Sequence, residues 1–318
     1  MFSIHKKIEN GFHKVILNDD LSQTSAEIIP SCSAMLHSFN VNQNGEMVNV
    51  IQSFSSYDDF KNNVAEKGFM GCKLSPFAGR VHLGRYEFGE KKLTLQKHYY
   101  LKHAMHGELF DKSFELINKQ ADNEKASITL KYSYQKEDPG YPFSYDCIIT
   151  WTLEKDQQLS VTTECINKDE GLIPLQDSWH PYFTLGEKVD DLLLEFQSME
   201  LIETDAEQIP TKKLSEYDVF NSLRKMGNTH FDDCFTLNMN TCQPLVVLKS
   251  VEQKIQIEIY PSSSYPYLQL YTPDDRKSIA IENMSGAPDA FNNKMGLQIL
   301  EPNQTAIFQV KYRVRILE

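Results

Sequence analysis

The chain is 318 residues long, 41 % hydrophobic and 24 % charged, with a formal net charge of −12. This is the composition of a soluble globular protein, and so large an excess of acid argues against nucleic acid or an anionic membrane as partner, because phosphates are bound by clustered cations. A small neutral substrate or a protein partner suits it better.

The first residues, Met1-Phe2-Ser3-Ile4-His5-Lys6-Lys7, lack the apolar core of a signal peptide. No uninterrupted apolar run approaches a membrane span; Leu192-Leu193-Leu194 stands between Asp191 and Glu195. The six cysteines, at positions 32, 72, 147, 165, 234 and 242, form neither a Cys-x-x-Cys pair nor a zinc set with a nearby histidine. Free thiols in a reducing, cytoplasmic setting are expected, with no metal.

Taken in order, residues 27–41 and 46–51 read as two early strands parted by the turn-rich Asn42-Gln43-Asn44-Gly45. Ser55-Ser56 then precede Tyr57-Asp58-Asp59-Phe60 and Val64. Serine capping, acid in the first turn, apolar spacing of one helical turn and a stop at Gly68 predict one short surface helix. Beyond Gly71 the pattern is β almost throughout. Ile128, Leu130, Tyr132 and Tyr134 alternate with polar residues, as do Leu159, Val161, Thr163 and Cys165; Ile255, Ile257 and Ile259; and Val310, Tyr312, Val314 and Ile316. Period-two patterning repeated this often argues for an all-β chain of antiparallel sheets packed face to face, with few short helices. No fixed-period repeat and no Pro-, Gly- or Ser-rich linker interrupts it, so a single domain over 1–318 is expected.

Five segments carry unusual polar residues. In Asp177-Ser178-Trp179-His180-Pro181-Tyr182-Phe183-Thr184, Pro181 biases His180 to an extended backbone, so its side chain should leave a strand end. Trp179, Tyr182 and Phe183 offer flat apolar surface on which a sugar's C–H face would rest. In Pro76-Phe77-Ala78-Gly79-Arg80, glycine permits a tight turn and Arg80 offers a fork of donors to hydroxyls. His106-Gly107 follows, with His103 a competitor for any role His106 has. Phe231-Asp232-Asp233-Cys234-Phe235 sets two acids side by side, of which only one can face a pocket if the segment is a strand. Glu282 ends the apolar run Ile279-Ala280-Ile281 before a loop of small residues, a reasonable place for a general base at a strand end. Each segment alone also has a plain reading, as a core histidine, a solvated arginine or a surface acid.

Together the segments resemble the aldose 1-epimerases, or galactose mutarotases. Pro-Phe-x-x-Arg, Gly-Arg-Tyr-x-Phe, His-Gly, Trp-His-Pro-Tyr-Phe, Asp-x-x-Phe and Glu-x-Met-x-x-x-Pro-Asp-Ala-Phe-Asn occur in that family's order, from Pro76 to Asn292. The resemblance implies a large β super-sandwich, a mutarotase activity and no cofactor. It implies His180 as general acid on the ring oxygen and Glu282 as base for the anomeric hydroxyl, with Arg80, His106 and Asp232 holding the sugar's oxygens. Two positions depart from the family pattern. Gly79 stands where many relatives have Asn, and Glu108 where many have a second glycine.

Interconverting α and β anomers requires one proton removed from the C1 hydroxyl and one given to the ring oxygen, with the roles reversed on closure. A histidine and a carboxylate on opposite sides of the sugar suffice, without metal or nucleotide. The alternatives are a non-catalytic sugar-binding module, a hexose-6-phosphate 1-epimerase drawing on Arg85, Lys102 and His103 as phosphate cations, and a sugar-processing lyase or hydrolase.

Overall fold

The four alternating segments become members of one antiparallel sheet. In the computed structural model, which describes residues 1–318, they form strands Lys125–Gln135, Gln158–Asn167, Ile255–Pro261 and Thr305–Ile316 of a nine-stranded sheet, with Ser144–Glu154 between the first two. Trp151 lies opposite both Ile128 and Val161, Val161 opposite Val310, and Ile257 opposite Val314. One face is buried and the other is partly wet, which is why the segments alternate.

A second nine-stranded sheet packs its inner face against the first. Its central strands run Ser198–Thr204, Asp232–Leu237, Tyr267–Tyr271 and Ile279–Met284, the last flanked by the short pieces Ser178–Trp179 and Tyr182–Phe183. Trp151 meets Trp179 across the interface at 5.1 Å between ring centroids, and Phe183 meets Tyr312 at 5.6 Å. The architecture is the expected antiparallel β super-sandwich, with 53 % of residues in strands and 5 % in helices. The outer face of the second sheet is covered too, so every residue of Ile279–Met284 is buried. A strand buried on both faces reads as a continuous apolar run, which explains Ile279-Ala280-Ile281 and corrects the placement of Glu282: it sits within the strand, not at its end.

A charged pair lies in this interior. Lys73 and Asp177, neither with any exposed side-chain surface, meet at 2.5 Å. Lys73 Nζ also donates to Ser178 O at 3.0 Å and lies 4.6 Å from the Trp179 ring centroid. Tyr265 donates its hydroxyl to Asp177 Oδ1 at 2.6 Å, and the Cys165 thiol of the first sheet approaches Oδ2.

The chain opens with a five-stranded meander, Phe2–Glu9, Phe12–Asp19, Thr24–Ile29, Met35–Gln43 and Glu46–Asn49. The expected strand over 27–41 is two strands of a hairpin. Pro30 can supply no ladder N–H, and Ser33 and Ala34 turn the chain with φ of 59° and 53°. The first two strands were not read from the sequence, although Asn10-Gly11 joins them as a two-residue turn with φ of 50° and 78°. The helix is Tyr57–Asn63, capped as expected by Ser56, whose side chain accepts from Asp59 N, and it buries Phe60.

Removing one member of a buried ion pair leaves the other uncompensated, so Lys73→Met should destabilise the fold by about 3–5 kcal/mol. Lys155→Met, at an exposed pair with Glu124, should change stability by less than about 1 kcal/mol. Urea midpoints of the two variants check the contrast.

Candidate active site

The outer face of the second sheet is the floor of a cavity of about 530 Å³. Asp232, Tyr271, Ala280, Tyr182 and Gln52 are paired in register across five strands, and Cys234, Gln269 and Glu282 form the parallel row two residues along. Residues opposite one another in an antiparallel ladder share a face, so both rows look into the cavity. Asp233, one residue from Asp232, turns the other way and accepts Asp232 N at 3.2 Å; Asp232 is the acid that lines the cavity.

His180 occupies a gap between two strand pieces. Trp179 ends one and Tyr182 begins the next; at His180 the backbone leaves the ladder and pairs with residues 71–72 instead, His180 N donating to Cys72 O and Gly71 N to His180 O. The ring stacks on Tyr182 at 5.1 Å and 5°, and its Nε2 lies 3.4 Å from Glu282 Oε1. Both side chains are almost wholly buried, and His180 Nδ1 has no hydrogen-bond partner. Burial pulls the imidazole down to about 3 and pushes the Glu282 carboxyl well above its usual range, with the nearby Asp232 charge adding to the latter. Desolvation therefore favours the neutral forms of both groups, while their mutual attraction favours proton transfer from Glu282 to His180.

His106 enters from a three-stranded sheet above the floor, made of Arg80–Val81, Tyr99–Tyr100 and His103–Met105. Its own φ is 61°, and it exchanges two hydrogen bonds with Gly79: His106 N donates to Gly79 O, and Gly79 N donates to His106 Nδ1 at 3.3 Å. With Nδ1 accepting, the neutral ring carries its proton on Nε2. Gly107 presses on the backbone so closely that a Cβ there would lie 2.4 Å from Ser75 O. Gly79 has φ of 67° and faces Pro288, whose Cβ would stand 3.0 Å from an added Cβ. A side chain at position 79 would press on that proline, which would have to give way by a few tenths of an ångström. Arg80 is half-buried with its guanidinium over the Tyr100 ring, 5.8 Å from the centroid. Burial pushes Asp232 up and Arg80 opposes it; Gln269 donates to Asp232 Oδ1 at 3.2 Å.

Arg80, His106, His180, Asp232 and Glu282 thus line one cavity, and Trp179 does not. Trp179 and Phe183 point into the inter-sheet core, where the Trp179 indole N–H donates to Thr163, and of the three aromatics only Tyr182 faces the cavity. The reason is strand parity: Tyr182 and Phe183 take opposite faces, and the break at His180 leaves Trp179 on the core side. His103 is buried elsewhere, accepting Leu83 N at Nδ1. Arg85, Lys102 and His103 are not on the cavity wall. Gln269 and Tyr271 were missed, although Tyr267-Leu268-Gln269-Leu270-Tyr271 alternates cleanly enough to place both on one face. No three His, Cys, Asp or Glu side chains converge in a metal-holding arrangement.

The aldose 1-epimerase family model matches residues 16–313. The chain belongs to the aldose 1-epimerase family. Escherichia coli YihR, an uncharacterised relative, is 26 % identical over 240 residues, 73 % of this chain and 75 % of that protein. A galactose mutarotase-like protein from Clostridium acetobutylicum superposes with a TM-score of 0.86 at 16 % identity, over 99 % of both chains. The galactose 1-epimerase of Lactobacillus acidophilus superposes with a TM-score of 0.82 at 20 % identity, over 100 % of this chain and 99 % of that one. At such identities the structural likeness speaks for the fold, and the family model for the epimerase assignment.

If burial sets the His180 protonation state, its ring should stay neutral across roughly pH 5–8, where an exposed imidazole titrates. Nitrogen chemical shifts of the histidine rings, assigned by comparison with His180→Asn, should show no His180 titration in that window; a midpoint near that of a free histidine would contradict the burial argument.

Proposed function

We propose that this cavity interconverts the α and β anomers of an uncharged aldose. The observation that carries the reading is the His180–Glu282 pair, 3.4 Å apart and almost wholly buried on the wall of a cavity whose other polar groups suit sugar hydroxyls. The two oxygens that exchange protons, the ring oxygen and the anomeric hydroxyl, are bonded to the same carbon. Acid and base must then stand close together, and adjacency fits the chemistry better than the opposite-sided arrangement expected from the residue types alone.

In this reading a proton first passes from the Glu282 carboxyl to His180; the carboxylate so formed accepts the C1 hydroxyl proton, the bond from C1 to the ring oxygen breaks, and the electron pair left on that oxygen takes the proton from His180. Rotation about C1–C2 exposes the other carbonyl face. On closure His180 takes the proton back from the attacking hydroxyl while Glu282 gives one to the carbonyl oxygen; the proton then returns from His180 to Glu282, and the pair ends as it began. Arg80, His106, Asp232 and Gln269 hold the remaining oxygens, His106 as a donor through Nε2. Such fixed dipoles in a water-poor cavity are worth more than they would be in water.

The charges on the cavity wall support an unphosphorylated substrate. Arg80 and Lys67 are its two cations, against Asp59, Glu66, Asp232, Asp275 and Glu282, and Lys67 is already paired with Asp59 at 2.6 Å. A binding module would need neither the buried carboxyl nor the imidazole beside it.

Polarimetry with freshly dissolved α-glucose, α-galactose and glucose 6-phosphate tests this. The neutral sugars should mutarotate faster with the protein, and the phosphate ester should not. Glu282→Gln and His180→Asn should each lower turnover by ~10²-fold or more, and the double variant should lose less than the product of the two. Arg80→Ala and His106→Ala should raise KM as well, because they act in ground and transition states alike. Near-normal turnover in Glu282→Gln would remove Glu282 from the chemistry.

A further inference from the structure

The cavity is roofed on the Asp232 side by a loop with no role so far. Strand Ser198–Thr204 is the next neighbour of Asp232–Leu237 in the sheet, and its turn into Pro210–Glu216 brings Thr204 and Gln208 to the cavity wall. The turn is rigid. The Asp205 carboxylate accepts Glu207 N at 2.8 Å and Ile209 N at 3.1 Å, Gln208 N donates to Asp205 O at 3.0 Å, and Gln208 is held at φ of 63°. The side-chain oxygen of Gln208 has one long contact, from the Thr204 hydroxyl at 3.4 Å, and its amide nitrogen donates to nothing.

Glu207 carries this loop across to the opposite wall. Its carboxylate pairs with Lys102, and its other oxygen lies 3.4 Å from His103 Nε2, a buried ring nitrogen without another partner. Lys102 sits in the two-residue turn joining Tyr99–Tyr100 to His103–Met105, and Tyr100 and Met105 of that hairpin also line the cavity. Two hairpins from different sheets are therefore tied together over the sugar site by one glutamate.

Direction follows from strand order. The strands of Glu282, Gln269, Asp232 and Thr204 are successive neighbours, each about 4.8 Å from the next. A pyranose with C1 at Glu282 and its other oxygens on the Gln269–Asp232 side points its far end along the row towards Asp232, whose strand's next neighbour leads into the turn that brings Gln208 to the cavity wall. We propose that Gln208 is a specificity-determining residue, its free carboxamide donating to the hydroxyl on the ring carbon opposite C1, and that Glu207 is the positioning residue that holds it there. This inference rests on the anomer-interconverting reading of the same cavity.

Glucose and galactose differ only in the configuration of that hydroxyl, so the ratio of their kcat/KM values is the readout. One neutral hydrogen bond corresponds to a ~3–10-fold change. Gln208→Ala should move the ratio towards unity by that factor, through KM rather than kcat. Glu207→Gln should move it the same way, and adding Lys102→Met to Glu207→Gln should move it no further. A purely structural role would alter the thermal midpoint and leave the ratio alone. An unchanged ratio in active Gln208→Ala overturns the specificity role, and a shift in Gln208→Ala but not in Glu207→Gln overturns the positioning role. If the wild-type protein accelerates neither sugar, the functional reading itself falls.

Discussion

A lysine ammonium with no surface in contact with water is tolerable only if its charge and donors are met inside the protein. Lys73 satisfies that condition through Asp177, Ser178 and the Trp179 ring, and this pins residues 177–179 between the two large sheets. The next residue is His180. The same short segment is fastened to the strand of Glu282: Asp177 N donates to Ser285 Oγ, Ser285 N donates to Asp177 O, and Ser178 Oγ donates to Asn283 O. The separation of the two proposed proton carriers is thus set by a network one layer below them, and neither has to hold the other.

That network lets the proposed proton carriers sit in a place hostile to charge. The second sheet is covered on both faces, by the inter-sheet core beneath and by the small sheet and loops above. Within it desolvation lowers the basicity of His180 and raises the pKa of Glu282. These shifts hold the shared proton on Glu282, and moving it to His180 costs free energy that only the attraction between the two resulting charges, 3.4 Å apart in a water-poor cavity, offsets.

The two departures from the family pattern have different structural meanings. Gly79 suits its surroundings, since its φ is positive, an added Cβ would stand 3.0 Å from Pro288, which would have to give way by a few tenths of an ångström, and its N–H is committed to His106. Glu108 lies under the His106 loop rather than in the cavity. It is buried, with its carboxyl pushed up to about 8 by desolvation against the opposing charge of Lys97, whose Nζ is 4.0 Å away. Its backbone N–H and that of Leu109 both reach Ser75 O, so the loop keeps its path despite the larger residue.

Much of this was legible in the chain. Alternation in residues 128–134, 159–165, 255–259 and 310–316 marks strands with one wet face, because side chains on a strand switch sides at every residue. Ser56 and the acids after it mark the helix. The ordered motifs from Pro76 to Asn292 pick out Arg80, His106, His180, Asp232 and Glu282. What alternation cannot supply is lateral register, which depends on partners dozens of residues away. Register places Gln52, Tyr182, Tyr271 and Asp232 in one row, selects Asp232 over Asp233, and brings Gln269 beside Glu282. The same limit hides the break at His180 that turns Trp179 into the core, and the burial of Lys73, which reads locally as an ordinary solvated cation. Local pattern determines which residues can share a face; only the pairing of distant strands decides which of them meet.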